Sequence, residues 1–212
     1  MALTLYVGSK RLSSWSLRPY LALAHAGAEF TTEVILLDQA DTKAKIRAVN
    51  PAARVPVLHD GDLVVHDSLA ICEYVAELYP NAGLWPADRK ARARARSLAA
   101  EMHSGFQALR QQMPMELVTR KPGQGRTPES LADIARVQDI WKTALAASGG
   151  PFLFGAFTIA DAFFTPVAGR FRTYGVELDR TCRDYADALL SYPPMAAWIA
   201  AAGLEAELLD HA

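Results

Sequence analysis

The sequence predicts a small α/β domain followed by an all-α domain, and three observations carry that prediction. Short apolar or β-branched runs alternate with helix-period runs through residues 1–80. Tyr79-Pro80-Asn81-Ala82-Gly83-Leu84-Trp85-Pro86 then breaks every periodicity. Beyond it the chain is alanine-rich and helix-periodic, with almost no strand signal. The division is therefore residues 1–80, a linker at 81–87 and a helical domain at 88–212.

Leu3–Val7 reads as a first strand, and Ser16–Ala26, ended by Gly27, as a helix. Phe30–Leu36 is a β-branched, alternating second strand, and Thr42–Val49 a short helix stopped by Asn50-Pro51. Val55–His59 and Leu63–His66 form a hairpin around Asp60-Gly61. Asp67-Ser68 opens a helix over Leu69–Leu78, with Leu69, Ile71, Cys72 and Val75 on its buried stripe. The order βαβ, helix, ββα implies two parallel strands extended by an antiparallel hairpin. Pro56 is the irregular member, because proline removes a ladder donor and is confined to strand starts, edges and bulges. Val55-Pro56 reads either as a strand start or as a bend with a cis peptide, and by spacing alone trans is the commoner form.

In the second half, Ala87–Met113 reads as one long helix, straight or bent, with Asp88 near its start. Thr127-Pro128 has the form of a cap with proline at the first helical position, opening Glu129–Ala147. Gly149-Gly150-Pro151 stops that helix, and Phe152–Gly155 is a short buried connector. Thr158-Ile159-Ala160-Asp161 is a capping box ahead of the apolar run Ala162–Val167. Two further helices occupy Asp179–Ser191 and Pro194–Ala202.

Composition narrows the function classes. Half of the 212 residues are hydrophobic and 21% charged, as in a soluble globular protein with a sizeable core. The 22 Lys plus Arg and 23 Asp plus Glu nearly cancel, so no whole-molecule field steers nucleic acid. No secretory leader pattern or membrane-length apolar stretch occurs. Cys72 and Cys182 lack CxxC spacing, which fits free thiols in a reducing cytoplasm, and no Cys/His cluster has metal-ligand spacing. The run Arg89-Lys90-Ala91-Arg92-Ala93-Arg94-Ala95-Arg96 spreads its charge around a helix, as a solvated face or a source of subunit salt links does.

The stretch Gly8–Pro19 is the chemical focus. Ser13, Ser14 and Ser16 stand where the first strand ends and the first helix begins. A helix start presents unpaired N–H groups and the positive end of a dipole, and so holds an anion. A serine there also serves as an ordinary cap. The segment alone leaves both readings open.

Taken in order, these features resemble the cytosolic glutathione transferases, in a bacterial serine-type form with zeta and theta affinities. Ser13-Ser14-Trp15-Ser16-Leu17-Arg18 resembles the Ser-Ser-Cys-x-x-Arg opening of the zeta class, the maleylacetoacetate isomerases, and the serine region of theta-like classes. Arg54-Val55-Pro56-Val57-Leu58 is similar to the family's Val-Pro strand, in which the proline is cis. Asp67-Ser68-Leu69-Ala70-Ile71 matches the opening of its glutathione-binding helix, and Thr158–Asp161 the box that starts the core helix of its second domain.

The resemblance implies a thioredoxin-like N-terminal domain, βαβ-α-ββα, that holds glutathione as co-substrate, and an all-helical domain that holds an electrophile. It implies that Val55 pairs its backbone with the cysteinyl unit beside cis Pro56. Ser68 then takes the γ-glutamyl carboxylate, Asp67 the ammonium group and Arg54 the glycyl carboxylate. Ser14 and Ser13 are the candidates that hold the thiol as thiolate. A thiol ionises near pH 8.5 unless its anion receives hydrogen bonds or positive charge (about 8.5 unperturbed). Ser16 is read as the cap, and Tyr6 ranks below the serines. Trp15 stands where the zeta class has its cysteine, a departure that weakens the isomerase reading and favours apolar electrophiles. Gln107 matches a zeta position near the ligand. Trp15 is expected to touch both glutathione and the electrophile, and His103, Phe106 and Arg110, at helical spacing with Met102, Gln107 and Met113, are expected at the electrophile site. The implied activity is conjugation of glutathione to small apolar electrophiles by a cytoplasmic homodimer without metal, nucleic acid or membrane partners. The alternatives are a glutathione-dependent cis–trans isomerase and a non-catalytic binding module.

Overall fold

The computed structural model describes residues 3–210. Its first half is a four-stranded mixed sheet in the order β2-β1-β3-β4, from β1 (Leu3–Gly8), β2 (Phe30–Ile35), β3 (Val57–Asp60) and β4 (Leu63–His66). β1 runs parallel to β2 and antiparallel to β3, and β3 is antiparallel to β4, as the thioredoxin-like order requires. Alternate residues of β1, Leu3, Leu5 and Val7, are buried with Leu17 and Leu21 of helix α1 (Ser14–His25) and Ile71 and Val75 of α3 (Ser68–Leu78). Helix α2 (Thr42–Val49) lies between β2 and β3 in the chain.

The helical half comprises α4 (Arg89–Ser104), α5 (Gln107–Gln112), α6 (Pro128–Ser148), α7 (Ile159–Tyr174), α8 (Arg180–Ser191) and α9 (Pro193–Asp210). Helix α7 is its axis and is buried almost throughout, packed against α4, α8 and, across the seam, α1. The Thr158–Asp161 box starts it as expected. Asp161 accepts from Thr158 N at 2.8 Å and Thr158 Oγ1 at 2.9 Å, and also from Leu153 N and Tyr185 Oη. Asp88 and Thr127 cap α4 and α6 through Ala91 N and Ser130 N. Cys72 and Cys182 are buried free thiols.

Four details differ from the sequence reading. The expected helix Ala87–Met113 is two helices, because Gly105 is extended and Phe106 left-handed at φ +60°. Phe106 buries its ring there, and Arg110 bonds back to Gly105 O and Met102 O across the break. Helix α1 begins at Ser14 rather than Ser16, so Ser13 is the cap. The hairpin loop is Gly61-Asp62, since Asp60 already pairs with Leu63 and Gly61 supplies the positive φ. Helix α9 continues well past Ala202. Its Trp198 donates to Lys10 O at 2.7 Å, and its Glu205 accepts from Lys10 N at 2.9 Å. The loop between β1 and α1 is thus pinned from the helical half.

Candidate active site

A cavity of about 670 Å³ opens where the two halves meet. Trp15 of α1 lines it with Ala52, Arg54, Val55 and Pro56 of the loop before β3. His66, Asp67 and Ser68 line it where β4 turns into α3, and His103 of α4 closes it from the helical half.

Each wall has a local cause. Asn50 is buried and shapes the loop, donating to Arg54 O at 2.6 Å and accepting from Ala52 N at 3.0 Å. The Val55-Pro56 peptide is cis. The β3 ladder starts at Val57, and Val55 joins no backbone hydrogen bond among the described residues. An extended peptide chain can complete that edge. Asp67 sits at φ +75°, a region unfavourable for a side chain other than glycine's, and caps α3. Its Oδ1 accepts from Leu69 N at 2.8 Å, while its Oδ2 lies 3.3 Å from His103 Nε2. Ser68, the first residue of α3, brings a hydroxyl and a helix N-terminus to the cavity, suited to a carboxylate. Arg54 is exposed, with its guanidinium free to meet a second carboxylate among the described residues.

The serines face the seam between the halves. Ser13 and Ser14 are both buried, and Trp15 is the α1 residue at the cavity wall. Ser13 Oγ lies 2.7 Å from Ser16 Oγ and accepts from Ser16 N, while Ser16 Oγ accepts from Gly8 N at 3.1 Å. That chain joins the helix cap to the end of β1. Ser14 Oγ instead accepts from Arg170 Nη2 of α7 at 3.1 Å. Tyr6 packs on His59, with ring centroids 4.8 Å apart.

Trp15 is held firmly. The Arg18 guanidinium lies 4.4 Å from its ring centre and the Arg110 guanidinium 5.0 Å, while His103 meets it edge-on at 5.1 Å. About a third of the indole stays exposed toward solvent (36%). Arg18 is itself fully buried between Trp15 and Phe163, and its only hydrogen bond among the described residues runs to Ser68 Oγ at 3.5 Å. Burial, with Arg110 and Arg170 nearby, holds Arg18 well below the ordinary arginine range. Burial also lowers His103, Asp67 raises it, and Arg18 and Arg110 lower it further.

The structure therefore brings Trp15, Arg54, Val55, Pro56, Asp67, Ser68 and His103 onto one cavity. Phe106, Met102 and Met113 belong to the core, Gln107 folds back on Ser104 O at the surface, and Arg110 lies behind Trp15. Two residues that sequence reasoning did not single out for chemistry, Arg18 and Arg170, are the most deeply buried charges beside it. Their signal is legible: each is an arginine set on the apolar stripe of its helix.

The chain matches known proteins along most of its length. Residues 12–78 match the family model of the glutathione S-transferase N-terminal domain, and residues 92–201 that of the C-terminal domain. Among curated relatives, a probable maleylacetoacetate isomerase of Caenorhabditis elegans is 37% identical over 108 residues, 51% of this chain and 50% of that protein. Glutathione S-transferase F14 of Arabidopsis thaliana is 33% identical over 175 residues, 77% of this chain and 65% of that one. The matched stretches thus span about half to two thirds of these relatives' lengths. A crystal structure of a glutathione transferase homolog from Burkholderia, with bound glutathione, superposes with a TM-score of 0.74 at 24% identity. That superposition covers 95% of this chain and 98% of that one, and it supports the fold.

Proposed function

The chain belongs to the glutathione S-transferase family, and from that premise we propose that it binds glutathione in the cavity between its halves, ionises the thiol and transfers it to small apolar electrophiles. The observation that carries this reading is the convergence of an unpaired backbone edge at Val55, the α3 N-terminus at Ser68 and the indole of Trp15 on one cavity. A γ-glutamyl tripeptide has the matching groups: an extended backbone, two carboxylates, an ammonium and a thiol. Val55 pairs with the cysteinyl unit, Ser68 receives the γ-glutamyl carboxylate, Asp67 the ammonium and Arg54 the glycyl carboxylate.

Of the two serines, Ser14 is the thiol's partner in this reading. Ser13 Oγ is engaged in the cap with Ser16, whereas Ser14 Oγ accepts from Arg170 and keeps its own proton to donate. The thiol proton goes to solvent and the sulfur keeps its electron pair, held by the serine hydroxyl and the positive end of α1. The thiolate then attacks an electrophilic carbon. A carbon–sulfur bond forms, and the leaving group departs with the electrons of its own bond.

A second reading, glutathione-dependent cis–trans isomerisation, is favoured by the name of the Caenorhabditis relative. Trp15 weighs against it, because a bulky indole stands where that class has a cysteine. Cytoplasmic location and a homodimer complete the proposal. No helix among the described residues is long and apolar enough to cross a membrane, and no group of three or more His, Cys, Asp or Glu could hold a metal ion.

The test compares chlorodinitrobenzene conjugation with maleylacetoacetate turnover on protein first assayed for retention on glutathione-agarose. Retention with conjugation and slow isomerisation is the expected result. Rapid isomerisation with no conjugation would select the second reading, and loss of retention would leave a non-catalytic module.

A further inference from the structure

Three guanidinium groups gather behind Ser14 and Trp15, where α1 meets α5 and α7. Arg18 and Arg170 are buried, and Arg110 is largely so. Burial holds all three below the ordinary range, and neighbouring arginines lower Arg18 and Arg170 further, with Arg170 pushed down to about 9. No carboxylate forms an ion pair with any of them among the described residues. Asp67 and Asp133 act on Arg18 and Arg110 only from farther away. Arg18 Nε and Nη2 and Arg110 Nη1 find no hydrogen-bond partner among the described residues. Uncompensated buried cations are destabilising, and such clusters are concentrated at functional sites.

Arg170 differs from the other two in being fully engaged. Its Nε donates to Met113 O at 2.8 Å and its Nη1 to Pro166 O at 3.4 Å, which fixes the guanidinium plane. The remaining arm donates to Ser14 Oγ at 3.1 Å, joining residues 156 apart in the chain. A serine hydroxyl has one proton and two lone pairs, and arginine only donates. Accepting from Arg170 therefore fixes Ser14 Oγ and leaves its proton pointing elsewhere. A cation bonded to that oxygen also makes the hydroxyl a stronger donor.

We propose that Arg170 is a positioning residue for thiol activation: it directs the Ser14 hydroxyl toward the glutathione sulfur, and with Arg18 and Arg110 it creates an uncompensated positive site whose counter-charge is the thiolate. The proposal rests on the reading that Ser14 meets the sulfur. In the step it assists, the S–H bond breaks, the proton passes to solvent and the pair stays on sulfur, while Ser14 keeps its proton. Placing Arg170 on α7 makes the chemistry of the first half depend on docking of the second.

The test titrates the near-ultraviolet absorbance of bound thiolate against pH in the full chain with glutathione. It compares wild type, Ser14→Ala, Arg170→Met, Arg170→Lys and the double variant Ser14→Ala/Arg170→Met. Arg170→Met should raise the bound-thiol pKa by about one unit, with glutathione Kd changed by less than about twofold. Arg170→Lys, which keeps charge but loses the fixed fork, should fall between. In the Ser14→Ala background the Arg170→Met shift should shrink. If Ser14→Ala raises the thiol pKa and Arg170→Met leaves it at the wild-type value, the Arg170 role is overturned. If Ser14→Ala itself has no effect, the Ser14 reading fails, and this inference with it. Should Arg170→Met not fold, Arg170→Lys decides: a raised pKa at unchanged Kd supports the role, and an unchanged pKa overturns it.

Discussion

His103 Nε2 lies 3.3 Å from Asp67 Oδ2, so a histidine of the helical half closes on the carboxylate that caps α3 in the sheet half. The other oxygen, Oδ1, is committed to Leu69 N and Ala70 N. The oxygen that would meet glutathione's ammonium is therefore the one His103 already touches. Neutral His103 is a modest competitor for it, and protonated His103 a strong one.

This relationship predicts an acid limb in glutathione binding. Burial places His103 below the ordinary histidine pKa, so the limb falls below about pH 6.5. Isothermal titration across pH 5 to 7.5 should show Kd rising as pH falls. His103→Gln should flatten the limb and leave affinity near neutrality within about twofold. An identical limb in the variant would remove His103 from the account. The charged and titratable groups acting on this ring are Asp67, Arg18 and Arg110.

Ser13 and Ser14 should separate in mutagenesis. Ser13→Ala loses the α1 cap and should cost about 1 kcal/mol of stability in urea melts, while leaving the bound-thiol pKa near wild type. Ser14→Ala should instead raise the bound-thiol pKa and lower kcat much more than it weakens glutathione binding. Equal kinetic loss in both variants would contradict the assignment.

Trp15 should govern the electrophile. Trp15→Leu keeps an apolar wall but removes the ring face, so KM for chlorodinitrobenzene should rise about 3- to 10-fold with glutathione Kd little changed. Steady-state kinetics with each substrate varied checks the split. A rise confined to glutathione would place the indole in the peptide cradle instead.

Asp161 should be the most sensitive single position for stability in the helical half. Its carboxylate takes donors from Leu153 N, Thr158 N, Thr158 Oγ1 and Tyr185 Oη, and Asp161→Ala would leave all four without it, a loss of about 2–4 kcal/mol. Burial raises its pKa to about 6 from an ordinary 3.8. Between those values the folded state holds the extra proton, so this group's contribution to stability falls as pH rises from about 4 to about 6. Urea melts at pH 4 and pH 6 should show wild type losing stability relative to Asp161→Asn as pH rises.

Much of the architecture was legible in local patterns. The βαβ and hairpin orders follow from β-branched alternation and a glycine turn, and the Thr158–Asp161 box declares the start of α7 in four residues. The break at Gly105-Phe106 was not, because the apolar spacing of Met102, Phe106, Leu109 and Met113 continues through it. What breaks the helix is the left-handed backbone of Phe106 together with Arg110 bonding back across the gap. In the site, Val55-Pro56 and Asp67-Ser68 were readable because each is a backbone device with a sequence signature. The His103–Asp67 and Arg170–Ser14 links join distant segments, and no local pattern reports which side chains meet across a domain seam.

The most direct test of the account is a crystal structure of the protein with glutathione bound. The account predicts the cysteinyl backbone paired with Val55, the γ-glutamyl carboxylate at Ser68, and the sulfur within about 3.5 Å of Ser14 Oγ. Glutathione bound with its sulfur against Trp15 and no serine hydroxyl in reach, or seated outside the cavity altogether, would contradict it.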